Sequence, residues 1–158
     1  MALILDTSAV IGWVELKDPG VIDAIREHSA DATPRVHAVT IGELERGVAR
    51  AADEMIQSRR RATLRFAREQ LAPVPLDFDG DQPEAFGQLA VAVSRRISHN
   101  DTWIAAAAVT ERRHLLTQDS SLAEQARRAA ATETQLRRWL DSRSYRLDVI
   151  HIPRPPAN

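Results

Sequence analysis

Four acidic residues have the types and positions that metal chemistry needs: Asp6, Glu43, Asp101 and Asp119. Each follows a strand-like apolar run or opens a helix-like segment. Carboxylates held close together repel one another, and they are tolerated mainly where a cation neutralises them. A ligand set made only of oxygen atoms favours Mg²⁺ or Mn²⁺ over softer metals. The four acids therefore indicate a divalent-metal site, provided that the fold brings them together.

Apolar runs alternate with helix-like segments along most of the chain. Strands are predicted at residues 2–5, 35–39, 74–78, 115–117 and 146–152. Helices are predicted at residues 8–16 and 20–28, from about 41, and at 59–71, 84–97 and 102–112. This alternation favours a parallel sheet with helices on both faces. We predict a three-layer α/β/α domain with a mostly parallel central sheet over residues 1–152, followed by a flexible tail at 153–158.

Such a fold would gather the four acids. The carboxyl ends of parallel strands share one edge of the sheet, and ligands bind in the crevice there. Asp6, Glu43 and Asp119 each follow a predicted strand, so we expect them to approach one another. Asp101 joins them if the helix that it opens begins beside the same edge.

Helix capping is the alternative explanation for each acid taken alone. Thr40-x-x-Glu43 and Ser98-x-x-Asp101 both match a capping box, and the other two acids could be simple N-caps. Capping does not explain why no basic residue accompanies Asp119 in the segment LLTQD. The four acids together favour a metal site over four unrelated caps.

The composition excludes several other chemistries. The chain has no cysteine, which rules out disulfides, zinc knuckles and thiol nucleophiles. Lys17 is its only lysine, so catalysis by lysine is disfavoured. No apolar run approaches the roughly 20 residues that span a bilayer, and no charged segment precedes the first apolar run. We expect a cytoplasmic protein that does not associate with membranes.

The basic residues are nearly all arginine and often stand in pairs or triplets. Arg59, Arg60 and Arg61 form the cluster best suited to contact RNA phosphates. The alternative is a solvated helix face on which arginines pair with acidic side chains. The net charge of −1 favours neither interpretation.

Four motifs together resemble those of PIN-domain ribonucleases, and within that group the VapC-type toxins of type II toxin–antitoxin pairs. They are LDTSA (5–9), TIGELERG (40–47), NDTWIAAAA (100–108) and LLTQDSSL (115–122). The resemblance implies that Asp6, Glu43, Asp101 and Asp119 form an acidic site that binds Mg²⁺ or Mn²⁺. It also implies that Thr7, Ser8 and Thr117 support the site through hydrogen bonds. It selects Glu43 over Glu45, which points about 200° away on a helix and then faces solvent, Arg46 or Arg50.

The resemblance also implies a function. A VapC-type protein would be an endoribonuclease that hydrolyses RNA, in tRNA or rRNA loops, through a metal-activated water. Its partners would be a small VapB-type antitoxin and a second copy of the chain in a homodimer. Trp13, Val14 and Leu16 on the first helix form an apolar stripe on which an antitoxin could lie.

Two other classes of protein are weighed against this one. The first is a catalytically inactive or non-toxic PIN-like domain that binds or processes RNA. The second is a phosphotransferase with an aspartate nucleophile. That class needs a late lysine, absent beyond Lys17, and its dehalogenase-like members need a second acid where Ser8 stands.

Overall fold

A computed structural model describes residues 2–93 and 97–156 of the chain. Within these residues, five strands form one sheet: β1 (Leu3–Leu5), β2 (Arg35–His37), β3 (Ala72–Val74), β4 (His114–Thr117) and β5 (Val149–His151). Eight helices surround it: α1 (Thr7–Val14), α2 (Pro19–His28), α3 (Ala38–Ala49), α4 (Glu54–Gln70), α5 (Gln82–Ala92), α6 (His99–Thr110), α7 (Ser120–Thr132) and α8 (Thr134–Arg143).

The sheet has the strand order β3-β2-β1-β4-β5, and all four pairings are parallel. The three residues of β1, Leu3–Leu5, are fully buried because helices cover both faces of the sheet. One apolar core packs α1–α4 against the first face, and a second packs α5–α8 against the other. The predicted three-layer α/β/α architecture is confirmed.

Several predicted boundaries differ from the observed ones. β2 ends at His37, and its ring accepts a hydrogen bond from the backbone N–H of Val39 at 3.3 Å, which starts α3 at Ala38. Thr40 is therefore buried inside the first turn of α3 and does not cap it, so the capping box predicted at Thr40-x-x-Glu43 is wrong. β3 lies earlier than predicted because it pairs in register with β2, with His37 opposite Val74.

The segment after Asp119 forms two helices, α7 and α8. Leu136, Trp139 and Leu140 of α8 are buried in the second core, where α8 packs against α5. The backbone N–H of Ile152 then donates to the carbonyl of Thr117 at 3.0 Å, which ties the end of the chain to β4.

The predicted helix at 84–97 ends at Ala92, and residues 94–96 lie outside the described residues. The flexible tail at 153–158 stays a prediction, and its last two residues also lie outside the described part. Across 2–93 and 97–156, no helix is both long and apolar enough to cross a membrane.

Candidate active site

The carboxyl edge of the sheet holds a cavity of about 310 Å³, which we call the acid cavity. All four predicted acids line it: Asp6, Glu43, Asp101 and Asp119. Asp6 follows β1, Asp119 follows β4, Glu43 lies on the second turn of α3, and Asp101 lies on the first turn of α6. The remaining lining residues are Thr7, Ser8, Ile11, Arg46 and Arg154. The structure thus brings the four acids to one cavity.

Asp6 is the most enclosed of the four, with 3% of its surface exposed. It caps α1 by accepting the backbone N–H of Ala9 at 2.7 Å. The hydroxyl of Thr117 donates to its second carboxylate oxygen at 2.5 Å, and Ser8 Oγ lies 2.8 and 2.9 Å from the two oxygens. All these donors are neutral, so they orient the carboxylate without cancelling its charge.

Thr117 also links Asp6 to Asp119. Its hydroxyl accepts the backbone N–H of Asp119 at 2.9 Å while donating to Asp6. Asp119 caps α7 through one carboxylate oxygen, which accepts the N–H groups of Ser121 and Leu122 at 2.8 and 3.0 Å. These bonds leave the other oxygen of Asp119 available for a ligand.

Glu43 is held at both carboxylate oxygens. The hydroxyl of Thr7 donates to Oε2, and Asn100 Nδ2 donates to Oε1 at 2.9 Å. Glu45 lies on the other side of α3, where it pairs with Arg68 at 2.7 Å. Glu45 is exposed, as one of the predicted alternatives has it, and its ionic partner is Arg68 on α4 rather than Arg46 or Arg50.

Asp101 forms the reciprocal contact predicted with Ser98. Ser98 Oγ accepts the backbone N–H of Asp101 at 3.1 Å and donates to its carboxylate at 2.6 Å. This contact caps α6 and fixes the side chain at the mouth of the cavity. The same residue therefore caps a helix and faces the acid cavity, so the two interpretations of the sequence are compatible.

Burial dominates the electrostatics of the cavity. It raises the pKa of Asp6 from 3.8 to about 6, although the hydrogen bonds from Thr117, Ala9 and Ser8 act in the opposite direction. Burial also raises the pKa of Asp101, and the negative charges of Glu43 and Asp119 add to that effect. Both carboxylates would be more stable as anions if a cation lay between them.

The donor set of the acid cavity fits a hard divalent cation. All four acids offer oxygen atoms, the ligands that Mg²⁺ and Mn²⁺ prefer. Among residues 2–93 and 97–156, no three carboxylate or imidazole side chains are already close enough to share one ion. In this arrangement an ion would not bind three of these side chains directly, and water would complete its coordination.

A second cavity of about 430 Å³ adjoins the acid cavity, and we call it the arginine groove. Its basic residues are Arg46, Arg50, Arg59 and Arg60. Arg59 also pairs with Glu15 at 3.3 Å, and the guanidinium of Arg60 donates to the carbonyl of Gly47 at 2.5 Å. Arg61 is exposed on the same helix and is not among the lining residues.

Sequence reasoning missed three residues of this region: Asn100, Arg46 and Arg154. The sequence position of Asn100 could have identified it, since it directly precedes Asp101. The position of Arg46 could have done so too, because it stands three residues after Glu43 and so shares its helix face. The position of Arg154 could not, since only the position of β5 brings it to the cavity. Arg46 and Arg154 thus bring basic side chains to the acid cavity, although the segment LLTQD beside Asp119 contains none.

The parallel sheet with an acid-lined cavity at its carboxyl edge places the chain in a known class. The model of the PIN domain family matches residues 3–128, so the chain belongs to the PIN-domain family. Among its relatives is ribonuclease VapC4 of Mycobacterium tuberculosis (strain ATCC 25618 / H37Rv), which is 37% identical over 91 residues. That match covers 56% of this chain and 68% of the relative.

Solved structures of similar fold include VapBC complexes. The VapBC-5 structure from Mycobacterium tuberculosis matches with a TM-score of 0.65 and 25% identity, over 96% of this chain and 98% of that one. VapBC2 from Rickettsia felis, bound to a DNA fragment from its promoter, matches with a TM-score of 0.64 and 17% identity. That second match covers 79% of this chain and 93% of the other, and it shows the shared fold.

Proposed function

We propose that this chain is a metal-dependent endoribonuclease and the toxin of a VapBC-type toxin–antitoxin pair. One observation carries the proposal: four carboxylates line a single cavity and are held there by neutral hydrogen-bond donors. Membership of the PIN-domain family and the similarity to ribonuclease VapC4 support the same function.

In this proposal Asp6 and Asp101 bind the principal ion, which is Mg²⁺ or Mn²⁺. Glu43 and Asp119 contribute through water or through a second ion. A bound divalent cation supplies a water of lowered pKa and neutralises phosphoryl charge. Attack by water, rather than by a ribose hydroxyl, leaves a 5′-phosphate and a 3′-hydroxyl on the products.

The supporting residues orient the acids. Ser8 and Thr117 fix both oxygens of Asp6, and Thr7 and Asn100 fix both oxygens of Glu43. Side chains fixed in this way lose little further freedom when ion and substrate bind. We propose that these four residues act by positioning the acids.

The substrate is proposed to be a single-stranded loop of a structured RNA, such as a tRNA or an rRNA. The arginine groove offers cationic groups to the phosphates beside the acid cavity. Arg59 and Arg60 line this groove, so they remain the candidates for RNA contact from the predicted cluster. Arg61 is a weaker candidate because it does not line the groove.

The proposed partner is a small VapB-type antitoxin that binds a homodimer of this chain in the cytoplasm. Leu16 is 57% exposed just after α1, and Met55 is 78% exposed on α4. Trp13 on α1 packs edge-on against Phe66 on α4, with ring centres 5.0 Å apart. An apolar segment of the antitoxin could cover this surface and place an arginine among the acids.

A cleavage assay tests the enzymatic part of the proposal. Purified chain is incubated with total RNA in Mg²⁺, in Mn²⁺ and in chelator, and the cut sites are mapped by sequencing of 5′-phosphate ends. We expect discrete cuts that depend on metal and disappear in Asp101→Asn. Cleavage that persists in this variant or in chelator contradicts the proposal.

A growth assay tests the biological part. Wild type, Asp6→Ala, and wild type with the small protein encoded beside it are each expressed in bacteria. Growth arrest by wild type alone, with rescue in the other two cultures, supports a toxin with its antitoxin. Equal growth in all three, with soluble and folded protein, contradicts it in favour of a non-toxic RNA-binding or processing domain.

A further inference from the structure

Three cavities adjoin one another along the carboxyl edge of the sheet. The arginine groove and the acid cavity share Thr7, Ile11, Glu43 and Arg46. On its other side, the acid cavity shares Asp119 and Arg154 with a third cavity of about 440 Å³, which we call the C-terminal cavity. The acid cavity therefore lies between two open spaces, and a guanidinium group stands at each passage.

Arg46 lies between the arginine groove and the acid cavity, and its charge is not paired with a carboxylate of the described residues. It lies on α3 one turn after Glu43, so both side chains face the acid cavity. Within the described residues it forms no ion pair, whereas Arg59 in the same groove pairs with Glu15. The guanidinium of Arg46 is thus free to bind a phosphate.

Arg154 stands at the second passage and comes from a different part of the chain. The hydrogen bond from Ile152 to the carbonyl of Thr117 anchors the backbone two residues earlier. Pro153 and Pro155 flank Arg154, and their fixed φ angles limit where it can move. Arg154 also forms no ion pair within the described residues.

We infer that one RNA strand crosses the acid cavity from the arginine groove to the C-terminal cavity, and that Arg46 and Arg154 bind the phosphates on either side of the scissile one. The inference rests on the proposed ribonuclease function and specifies how that site holds its substrate. This arrangement of charges fits an RNA strand. A metal ion among the acids would neutralise the scissile phosphate, and the guanidinium groups of Arg46 and Arg154 would each bind one of the two flanking phosphates. Arg154 lies beyond residues 3–128, the part of the chain that the family model matches.

The test measures the RNA affinity of a variant of the chain that cannot cleave RNA. Asp101→Asn serves as the background, and the probe is a fluorescent single-stranded RNA of mixed sequence in Mg²⁺ buffer. Arg46→Gln and Arg154→Gln are compared with Arg138→Gln, which alters an exposed arginine on α8 that lines none of the three cavities. Melting temperatures confirm that each variant is folded.

We expect each of the two variants to bind about five- to tenfold more weakly, and to lower the slope of log K against log salt by about 0.7, the value for one lost phosphate contact on a single strand. The double variant should multiply the two losses, because the sites are separate. Arg46→Lys and Arg154→Lys should restore the slope, since they keep the charge. A purely structural arginine would not change the slope.

The outcomes separate this inference from the function on which it rests. If wild type cleaves RNA in an Asp101-dependent way, but both variants bind like Arg138→Gln with an unchanged slope, the proposed path is wrong and the ribonuclease remains. If wild type neither binds nor cleaves RNA, the proposed function and the path both fail.

Discussion

The acidic side chains at the two edges of the sheet have different kinds of partner. At the amino edge, Arg35 donates to the carboxylate of Glu111, and Arg113 lies 4.0 Å from the same group. At the carboxyl edge, none of the four acids forms an ion pair within residues 2–93 and 97–156. One edge pairs its carboxylate with guanidinium groups, and the other holds its carboxylates with neutral donors.

The donors at the carboxyl edge explain how the unpaired charges are tolerated. Hydroxyl, amide and backbone N–H groups hold Asp6 and Glu43, and such groups fix a carboxylate without neutralising it. The cost is visible in the raised pKa of Asp6. The carboxylates of the two edges therefore differ in their partners: Glu111 has guanidinium groups, whereas Asp6 and Glu43 have neutral donors.

The largest expected effect is the loss of cleavage in Asp101→Asn. Removing a charged group of the acid cavity should reduce the rate of RNA cleavage on the order of 10³-fold. The variant should melt no lower than wild type in chelator, because it also removes repulsion from Glu43 and Asp119. A large drop in melting temperature without metal would show that Asp101 is a structural cap. The contrast between a paired amino edge and an unpaired carboxyl edge would then not hold for this residue.

The stability of metal-free chain should depend on pH through Asp6. Its pKa rises from 3.8 to about 6 on folding, so between these values the folded chain binds a proton that the unfolded chain releases. The free energy of unfolding should therefore fall as pH rises from about 4 to 6, by about 3 kcal/mol, and this contribution is then constant. Asp101 shifts stability in the same direction.

Urea denaturation across this pH range measures the effect. In Asp6→Asn, most of the decrease in the free energy of unfolding between pH 4 and 6 should be absent, because asparagine keeps the helix cap without a titrating group. Saturating Mg²⁺ should also flatten the fall in wild type, since the cation favours the ionised carboxylate. An identical pH profile in wild type and Asp6→Asn would show that burial of this charge costs little.

A smaller effect is expected from Asn100→Ala, which releases one oxygen of Glu43. Losing such a supporting hydrogen bond should lower cleavage roughly 10- to 100-fold. If Asn100 acts by positioning Glu43, the Mg²⁺ concentration for half-maximal cleavage should rise as well. Gln135→Ala is the control, because its exposed amide bonds to Gln88 and the residue lines none of the three cavities. Equal metal dependence in the two variants would argue against a positioning role.

The smallest effect belongs to the amino edge. Glu111→Gln removes the carboxylate that Arg35 and Arg113 share, and all three side chains are 22–30% exposed. The free energy of unfolding should fall by about 1–2 kcal/mol, while RNA cleavage stays within about twofold of wild type. A loss of cleavage comparable to that of Asp101→Asn would show that the two edges are not functionally distinct.

Local signals predicted much of this molecule correctly. The alternation of apolar runs and helix-like segments predicted the three layers. Asp6 and Asp119 cap the helices that follow them, and Ser98 contacts Asp101, as their spacings indicate. These interactions span two or three residues, so the sequence contains both partners side by side.

The sequence by itself therefore determined the layers, the four acids that line one cavity and the caps of α1, α6 and α7. It did not determine the cap of α3, which His37 supplies. Only the tertiary structure decided which supporting side chain contacts which acid. Asn100 and Glu43 are 57 residues apart, and Thr117 and Asp6 are 111 apart. Their contacts depend on β1 lying between β2 and β4, and Arg154 depends on β5 lying beside β4. Strand order arises from the packing of the whole sheet, because any two apolar strands can pair and their sequences do not specify which neighbours they take.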